Sequence, residues 1–186
     1  MHSEKLTPEG LSAAGVSKSA VHGEQMHAHG SYRIECRDRQ GCLKWCEDFD
    51  NLVTTVGKND ALDKYFAGSA YTPTWYVGLI SITDYVAGVA ASDTMASHAG
   101  WAEDQNYSQS ARPTAAWASA NAGAKALSAA AVFTINADTT IKGCFLTTVA
   151  TKGGITGVLY SAGLFTLGDK VIQSGDTLNV SYTASL

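Results

Sequence analysis

The strongest constraint on the fold is a series of short strand-like segments, separated by glycine-containing turns, in the last third of the chain. These segments read TTIKGCFLTTV, TGVLYSAGLF, DKVIQ and DTLNVSYTASL. Several short strands at regular spacing, with few helices between them, are typical of a β-sandwich or a β-barrel. We therefore predict a mainly β protein.

The last of these segments shows the clearest alternation of apolar and polar side chains. It follows a predicted turn at Gly175 and Asp176, and its apolar residues are Leu178, Val180 and Tyr182. The polar residues between them are Asn179, Ser181 and Thr183. Because successive side chains of a strand point to opposite faces, we predict that the apolar set faces the core. The polar set is then expected to face solvent or a neighbouring subunit, in a strand that is paired almost to Leu186.

The beginning of the chain differs from the rest. Residues 1–30 have no sustained periodicity and too few apolar side chains to form a core of their own. We predict an N-terminal arm over residues 1–30, disordered or ordered only against a partner, and one domain over residues 31–186. This domain begins with a predicted hairpin, in which Tyr32, Ile34 and Cys36 alternate with polar residues and DRQG forms the turn.

One short helix is predicted, over Asn59–Ala67. Leu62, Tyr65 and Phe66 occupy positions i, i+3 and i+4, which is the spacing of a single helix face. Gly68 follows at the position of a C-terminal cap.

The middle of the chain is less regular. The segment TPTWYVGLISI is rich in aromatic and β-branched residues and is predicted to be a strand. Over residues 83–111 the pattern loosens, which predicts a long surface excursion with short ordered pieces. The stretch TAAWASANAGAKALSAAAVFTIN is rich in Ala, a helix former. Its Asn121, Gly123 and repeated Ser nevertheless favour a strand, a turn and a second strand, of which AVFTIN is the clearer.

Charge and the length of the apolar runs argue against two classes of partner. The chain has a formal net charge of −4 with scattered basic residues, whereas nucleic-acid binding requires clustered Lys and Arg. No apolar run approaches the ~20 residues that span a bilayer, and the N-terminal segment lacks the apolar core of a signal peptide. We therefore expect no nucleic acid and no membrane as partners, and synthesis in a cytoplasm.

Charged residues make up only 16% of the chain, against ~25% in ordinary soluble domains. Ala, Ser, Thr and Gly fill the difference. Such small, weakly polar residues suit β-surfaces that pack closely on neighbours, which indicates a protein of an assembly.

The four cysteines are expected to be reduced thiols, because no export signal precedes them. They are Cys36, Cys42, Cys46 and Cys144. A disulfide between Cys36 and Cys46, which flank the predicted hairpin turn, is the alternative.

No motif predicts catalysis, a cofactor or a metal ion. Histidines of the arm followed by cysteines suggest a zinc site, but only Cys42 and Cys46 have a spacing common in such sites. TKGGITG lacks the Gly-Lys-Ser/Thr ending of a phosphate loop and is predicted to be a β-turn. Glu47, Asp48 and Asp50 are predicted to form a solvated acidic turn. No G-x-S-x-G elbow presents a nucleophilic serine.

Aromatic residues cluster in the middle of the chain. Trp is enriched at the energetic centres of protein interfaces, and the candidate interface residues are Trp101, Tyr107 and Trp117. Packing inside the core is the equal alternative for these side chains.

The order of several segments resembles a family of small proteins encoded among the virion genes of tailed bacteriophages and prophages. The first is KWCEDFDNLVTTVGKN, which leads into the predicted helix. The others are WYVGL (Trp75–Leu79), DTMASHAGW (Asp93–Trp101), RPT (Arg112–Thr114), IKGCFLTT (Ile141–Thr148) and GDTLNV (Gly175–Val180). The resemblance covers roughly Tyr32 to Leu186, and the first 30 residues do not contribute to it.

This resemblance implies a non-enzymatic structural protein of the phage particle, made in the cytoplasm of the bacterial host. The expected role is that of a capsid cement or decoration protein, a jelly-roll-like β-sandwich that sits on the shell and clamps neighbouring capsomers. The expected partners are the major capsid protein and further copies of the chain, commonly in a trimer.

Two alternatives remain at this point. In the first, the chain is a receptor- or glycan-binding module of a tail fibre, in which Trp101 and Tyr107 form the ligand platform. A weaker alternative is a small hydrolase that uses His98.

Overall fold

The computed structural model describes residues 27–66 and 74–186, and within them the chain forms twelve strands and one helix. The strands are β1 (His29–Arg37), β2 (Leu43–Asp50), β3 (Leu52–Val53), β4 (Trp75–Ser81), β5 (Glu103–Asp104), β6 (Thr114–Ala115), β7 (Ala124–Ala126), β8 (Ala131–Thr134), β9 (Thr139–Thr147), β10 (Leu159–Leu164), β11 (Lys170–Ile172) and β12 (Thr177–Ser185). The helix α1 spans Thr55–Phe66. Residues 1–26, most of the predicted arm, lie outside the described residues, as does Gly68.

Sheet 1 contains β2, β1, β12, β7 and β8, with β12 at its centre. β12 pairs antiparallel with β1 along its whole length, and with β8 and β7 on its other side. Its apolar side chains are buried and its polar ones are half-buried on the opposite face, as the alternation predicts. The predicted turn is also confirmed: Gly175 has a φ of 89°, in the left-handed region that favours glycine.

Sheet 2 contains seven strands in the order β3-β10-β9-β4-β5, with β11 also paired to β9 and β6 also paired to β4. All of its pairings are antiparallel. The two sheets pack face to face around one apolar cluster, and the predicted mainly β sandwich is confirmed. Sheet 1 supplies Tyr32, Ile34, Phe49, Phe133, Leu178 and Val180 to this cluster, and sheet 2 supplies Val77, Leu79, Ile141, Leu146 and Ile172.

A second apolar cluster lies on the other face of sheet 2. Ile80 and Phe145 point away from sheet 1 and are covered by Met95 and Trp101 from the connection between β4 and β5. This connection falls in the stretch predicted to be a surface excursion with short ordered pieces, and most of its residues are indeed exposed, but Met95 and Trp101 pack on the sheet. Sheet 2 is therefore buried on both faces, which explains why β4 is apolar without a break.

The Ala-rich stretch confirms the prediction of strand, turn and strand. It begins with β6, turns at residues 121–124, and continues through β7 into β8. The backbone groups of Asn121 and Ala124 donate to each other across this turn, at 2.9 and 3.0 Å.

The helix begins four residues earlier than predicted, and its apolar side points away from the domain. Leu62, Tyr65 and Phe66 are 55%, 81% and 76% exposed, and Gly57 is the buried residue of the helix. In the part of the chain that the structure describes, no helix is long and apolar enough to cross a membrane.

Candidate functional site

The three candidate interface residues lie at different depths. Trp101 and Tyr107 are buried within the chain, at 3% and 0% exposure, so the core alternative describes them and neither presents a surface to a partner. Trp117 is half-buried and packs edge-on against Tyr182, with ring centroids 5.9 Å apart. The three side chains do not form one patch, since Trp101 belongs to the second cluster and Tyr107 to the central one.

Trp101 is held by residues of its own loop. Its Nε1 donates to Asp93 Oδ2 at 2.9 Å, and the Ala90 amide donates to the same oxygen at 3.0 Å. The His98 ring stacks on the indole at 4.0 Å, and its Nδ1 donates to the Trp101 carbonyl at 2.8 Å. His98, the residue of the hydrolase alternative, is thus engaged together with Asp93 in fixing the cover of sheet 2.

A buried ion pair lies beside this cover. Arg112 and Glu103 form two parallel hydrogen bonds of 2.8 Å each, from Nε to Oε1 and from Nη2 to Oε2. Their side chains are 1% and 6% exposed. The remaining donors of the guanidinium reach the carbonyls of Val149 and Gly154, at 2.9 and 3.2 Å. A fork-to-fork pair of this kind is directional, so it fixes β5 against the loop that follows β9.

The same loop contains TKGGITG and confirms the predicted β-turn. The Gly154 amide donates to the Thr151 carbonyl at 3.0 Å. Lys152 Nζ donates to the Tyr107 carbonyl at 2.7 Å and lies 3.9 Å from the centre of the Tyr107 ring. Lys152 therefore holds this loop against Tyr107.

Another buried carboxylate lies at the end of the sandwich where β12 begins. Asp176 Oδ2 accepts from Lys44 Nζ at 2.6 Å and from the Gln173 amide at 2.9 Å, and Cys36 Sγ lies 3.7 Å away. It borders a shallow polar cleft of about 360 Å³, lined also by Asp38, Arg39, Gln40, Asp138, Gln173 and Ser174. Asp38 accepts the backbone amides of Gln40 and Cys42 in its own turn, whereas Asp138 accepts the amide of Ser174 in the turn before β12. The polar groups of this cleft thus serve mainly to close the turns.

Asp176 makes folding stability depend on pH. Burial raises the pKa of its carboxyl, but the Lys44 ammonium and the Gln173 amide outweigh burial and hold the pKa below its ordinary value of 3.8. A lowered carboxyl pKa stabilises the fold above the unfolded-state pKa, and this stabilisation is lost as pH falls through the folded-state pKa.

We expect Asp176→Asn to lower the free energy of unfolding at pH 7 by about 1.5–3 kcal/mol, the range for hydrogen bonds to charged groups. Below pH ~4 the difference from wild type should shrink, because the carboxyl of the unfolded wild-type chain then takes up a proton before the folded one, whose pKa is lower. Urea unfolding at pH 7, 5 and 3 measures both effects. A difference that stays constant down to pH 3 would contradict this role of Asp176.

The segment predicted to be a solvated acidic turn is instead part of β2, and it is only partly solvated. Asp48 and Asp50 are exposed, but Glu47 is 4% exposed and its Oε1 accepts the amides of Thr166 and Leu167 at 2.7 and 3.0 Å. Its Oε2 forms an ion pair with Lys170 at 2.8 Å. The prediction is therefore wrong for Glu47, which ties β2 to the loop after β10. Among the described residues, no group of three or more His, Cys, Asp and Glu is placed to hold a metal ion.

All four cysteines are free thiols. Cys36 pairs with Trp45 and Cys46 pairs with Glu35, so the two thiols lie on opposite faces of the hairpin and no disulfide joins them. Cys36 and Cys144 are buried, whereas Cys42 and Cys46 are exposed. Burial raises the pKa of Cys36 to about 12 and raises that of Cys144 further.

Only two of the four thiols should therefore react in the folded protein, because the thiolate is the reactive form. At pH 7.5, iodoacetamide followed by peptide mass spectrometry should find Cys42 and Cys46 modified, and Cys36 and Cys144 modified only after denaturation. Equal labelling of all four in the native protein would show that the core is open.

The outer face of sheet 1 is called the open face below, and neither of the two buried apolar clusters of the described residues lies on it. Its centre is formed by Asn179, Ser181 and Thr183, all short side chains. Beside them is a charged group formed by Arg33, Glu35, Arg37 and Asp48. Its two arginines and two carboxylates pair with one another at 2.8 to 3.2 Å, so the group has no net charge.

Sequence reasoning found the open face but missed the buried ion pairs. The alternation of β12 assigned its three polar residues to the outside, whereas nothing in the spacing of Glu103 and Arg112 shows that they meet. A scan of the chain against protein-family models and a search of curated proteins found no match.

Proposed function

We propose that the chain is a non-enzymatic structural protein of a tailed-phage particle. In this role it is a capsid cement or decoration protein, which binds the outside of the shell through its open face and stabilises neighbouring capsomers. The major capsid protein is the partner, and copies of the chain associate, with a trimer as the expected state. The ordered motifs from Trp45 to Val180 support the phage assignment, and the open face supports the binding role.

The observation that carries the binding role is the difference between the two sheets. Sheet 2 is covered on both faces, whereas the open face of sheet 1 has no such cover among residues 27–66 and 74–186. A sheet face of short side chains such as Ser181 and Thr183 allows close approach of another protein surface. Binding then depends on shape complementarity over a broad area rather than on a few strong contacts.

The charges of the open face point to weak dependence on salt. Arg33, Glu35, Arg37 and Asp48 are paired within the chain, and this group contributes no net charge to a partner. Screening by salt acts mainly on exposed charges that attract across an interface. Binding to particles should consequently weaken only mildly as salt rises, and complete release by moderate salt would contradict this mechanism.

The tail-fibre alternative has no observation in its favour. Its ligand platform consisted of Trp101 and Tyr107, and both side chains are buried. Glycan platforms require an aromatic face that a sugar ring can reach.

Two measurements test the proposal. The first is a mass-spectrometric count of this chain relative to the major capsid protein in purified particles, which should give comparable copy numbers. A count far below that of the capsid protein, as for a fibre module, would refute the cement role.

The second measurement introduces a large side chain into the open face. Ser181→Arg places a long cation where a short hydroxyl lies, and should lower the amount of protein on particles about tenfold or more, because a misfit at the centre of an interface is the most costly. Ile155→Arg, at a loop residue that is 62% exposed, is the matched control and should bind as wild type. Equal binding of both variants would exclude the open face as the contact.

A further inference from the structure

The helix α1 presents its apolar side away from the domain. The residues that are not exposed are Val56, Gly57, Asp60 and Lys64, and they share one side of the helix. On the opposite side lie Leu62, Tyr65 and Phe66, more than half exposed, with the Tyr65 and Phe66 rings in edge contact at 4.9 Å. On an isolated domain, the apolar side of an amphipathic helix normally faces the core.

Contacts at the start of the helix fix this orientation. Thr54 caps the helix, since its Oγ1 accepts the Gly57 amide at 3.0 Å while its own amide donates to the Tyr160 carbonyl at 3.0 Å. The Thr55 amide donates to the Ala91 carbonyl at 2.8 Å. A Cβ atom on Gly57 would lie 2.4 Å from the Tyr160 carbonyl oxygen, so only glycine allows the helix to lie this close to β10. Rotation that would bury Leu62 breaks all of these contacts.

Three large apolar side chains in one exposed patch are a feature of protein–protein contact sites. The residues that flank the patch indicate what covers it. Lys58 lies on the same side one turn before Leu62, and the aromatic pair lies one turn after it. The patch is therefore cationic at one end and aromatic at the other.

We propose that this patch binds the same patch of a second copy of the chain, across a two-fold axis near Leu62. With the two helices antiparallel, the Leu62 side chains meet at the axis. Lys58 of each copy then lies opposite the Tyr65–Phe66 pair of the other, where an ammonium is attracted to the faces of aromatic rings. The contact is self-complementary, as a two-fold interface requires, and the helix dipoles oppose each other.

This inference shares with the proposed function only the expectation that copies of the chain associate. It does not depend on a capsid partner, and its tests use the purified full chain alone. A trimer, as expected from the resemblance, would require an interface in addition to this one. Failure of particle binding and failure of this contact are thus separate results.

The first test is the mass of the protein in solution. Sedimentation equilibrium of the full chain should show reversible pairing, and Leu62→Gln/Phe66→Gln should raise the dissociation constant of the pair about tenfold or more, since central apolar residues dominate such interfaces. Val171→Gln, at a residue that is 69% exposed on β11, is the control and should pair as wild type. At concentrations low enough for the chain to be monomeric, thermal unfolding of both variants should be the same, because none of the three substituted positions is buried.

The second test establishes the geometry by disulfide formation. With Cys42→Ser and Cys46→Ser removing the exposed thiols, Leu62→Cys should form a linked dimer under mild oxidation, whereas Asp60→Cys on the inner side should not. A mixture of Lys58→Cys and Tyr65→Cys chains should link to each other faster than Lys58→Cys links to itself.

Three results would overturn the proposal. They are a full chain that remains monomeric at every concentration, pairing that the Leu62→Gln/Phe66→Gln change leaves intact, and linkage through Asp60→Cys equal to that through Leu62→Cys. Faster linkage of Lys58→Cys with itself would show that the helices are parallel and would overturn the antiparallel arrangement.

Discussion

Deleting Leu178–Leu186 should leave a chain that no longer folds. The deletion removes most of β12, which is the partner of β1 on one side and of β7 and β8 on the other. It also removes three fully buried side chains, Leu178, Val180 and Tyr182. Each is worth roughly 1.5–3 kcal/mol, and a domain has a net stability of only about 5–15 kcal/mol. Circular dichroism during urea titration should show no cooperative transition.

Matched variants separate loss of the strand from loss of residues in general. Deleting residues 1–28 removes nothing from β1 and should leave a folded domain. Within β12, Val180→Asp buries a charge and should unfold the protein, whereas Ser181→Asp, one position along on the open face, should not. A soluble truncation lacking Leu178–Leu186 that melts cooperatively would show that β12 is not essential to the core.

Arg112→Met should have the largest effect of any single substitution outside the apolar core. It leaves the Glu103 carboxylate buried without its cation, and breaking one partner of a buried pair costs about 3–5 kcal/mol. Replacing both residues, as Arg112→Met/Glu103→Gln, should restore part of this loss, because no unpaired charge remains. Chemical unfolding at pH 7 measures the free energies of all three proteins.

An exposed ion pair serves as the control. Arg33 pairs with Asp48 at 2.8 Å, but the two side chains are 47% and 66% exposed. Arg33→Met should cost less than about 1 kcal/mol, as exposed pairs do. Equal costs at Arg33 and Arg112 would mean that water reaches the Glu103 pair.

The strands with one buried face could be predicted from sequence together with their buried side chains. For the strands with two buried faces, the strand itself could be predicted but not what covers its second face. The period of two in β1 and β12 follows from one face in the core and one in water, so the pattern itself identifies the buried side chains. In β4 both faces are covered and the pattern disappears. Its second cover comes from Met95 and Trp101, which lie in a segment without any periodicity. Nothing local in the sequence shows that this segment folds back.

The helix illustrates a different limit. Its existence and its apolar side were evident from the spacing of Leu62, Tyr65 and Phe66, but the direction in which that side points was not. Gly57 and the Thr54 cap decide the direction, through contacts with β10 that lie more than a hundred residues later in the chain. The pair of Glu103 and Arg112 escaped prediction for a related reason. Its geometry depends on a loop after β9 that supplies two more acceptors.

The central position of β12 has a consequence for the order in which the protein is made. During synthesis β1 and β2 leave the ribosome first and can form their hairpin, but the strand that must lie beside β1 is the last of the twelve to emerge. Until then one edge of the hairpin has no partner, and an unpaired edge invites association with other chains. Sheet 1 can close only after translation has passed Ser185, so the hairpin must wait until the whole domain has been made. Its yield in a cell should therefore depend on how well the nascent hairpin is protected.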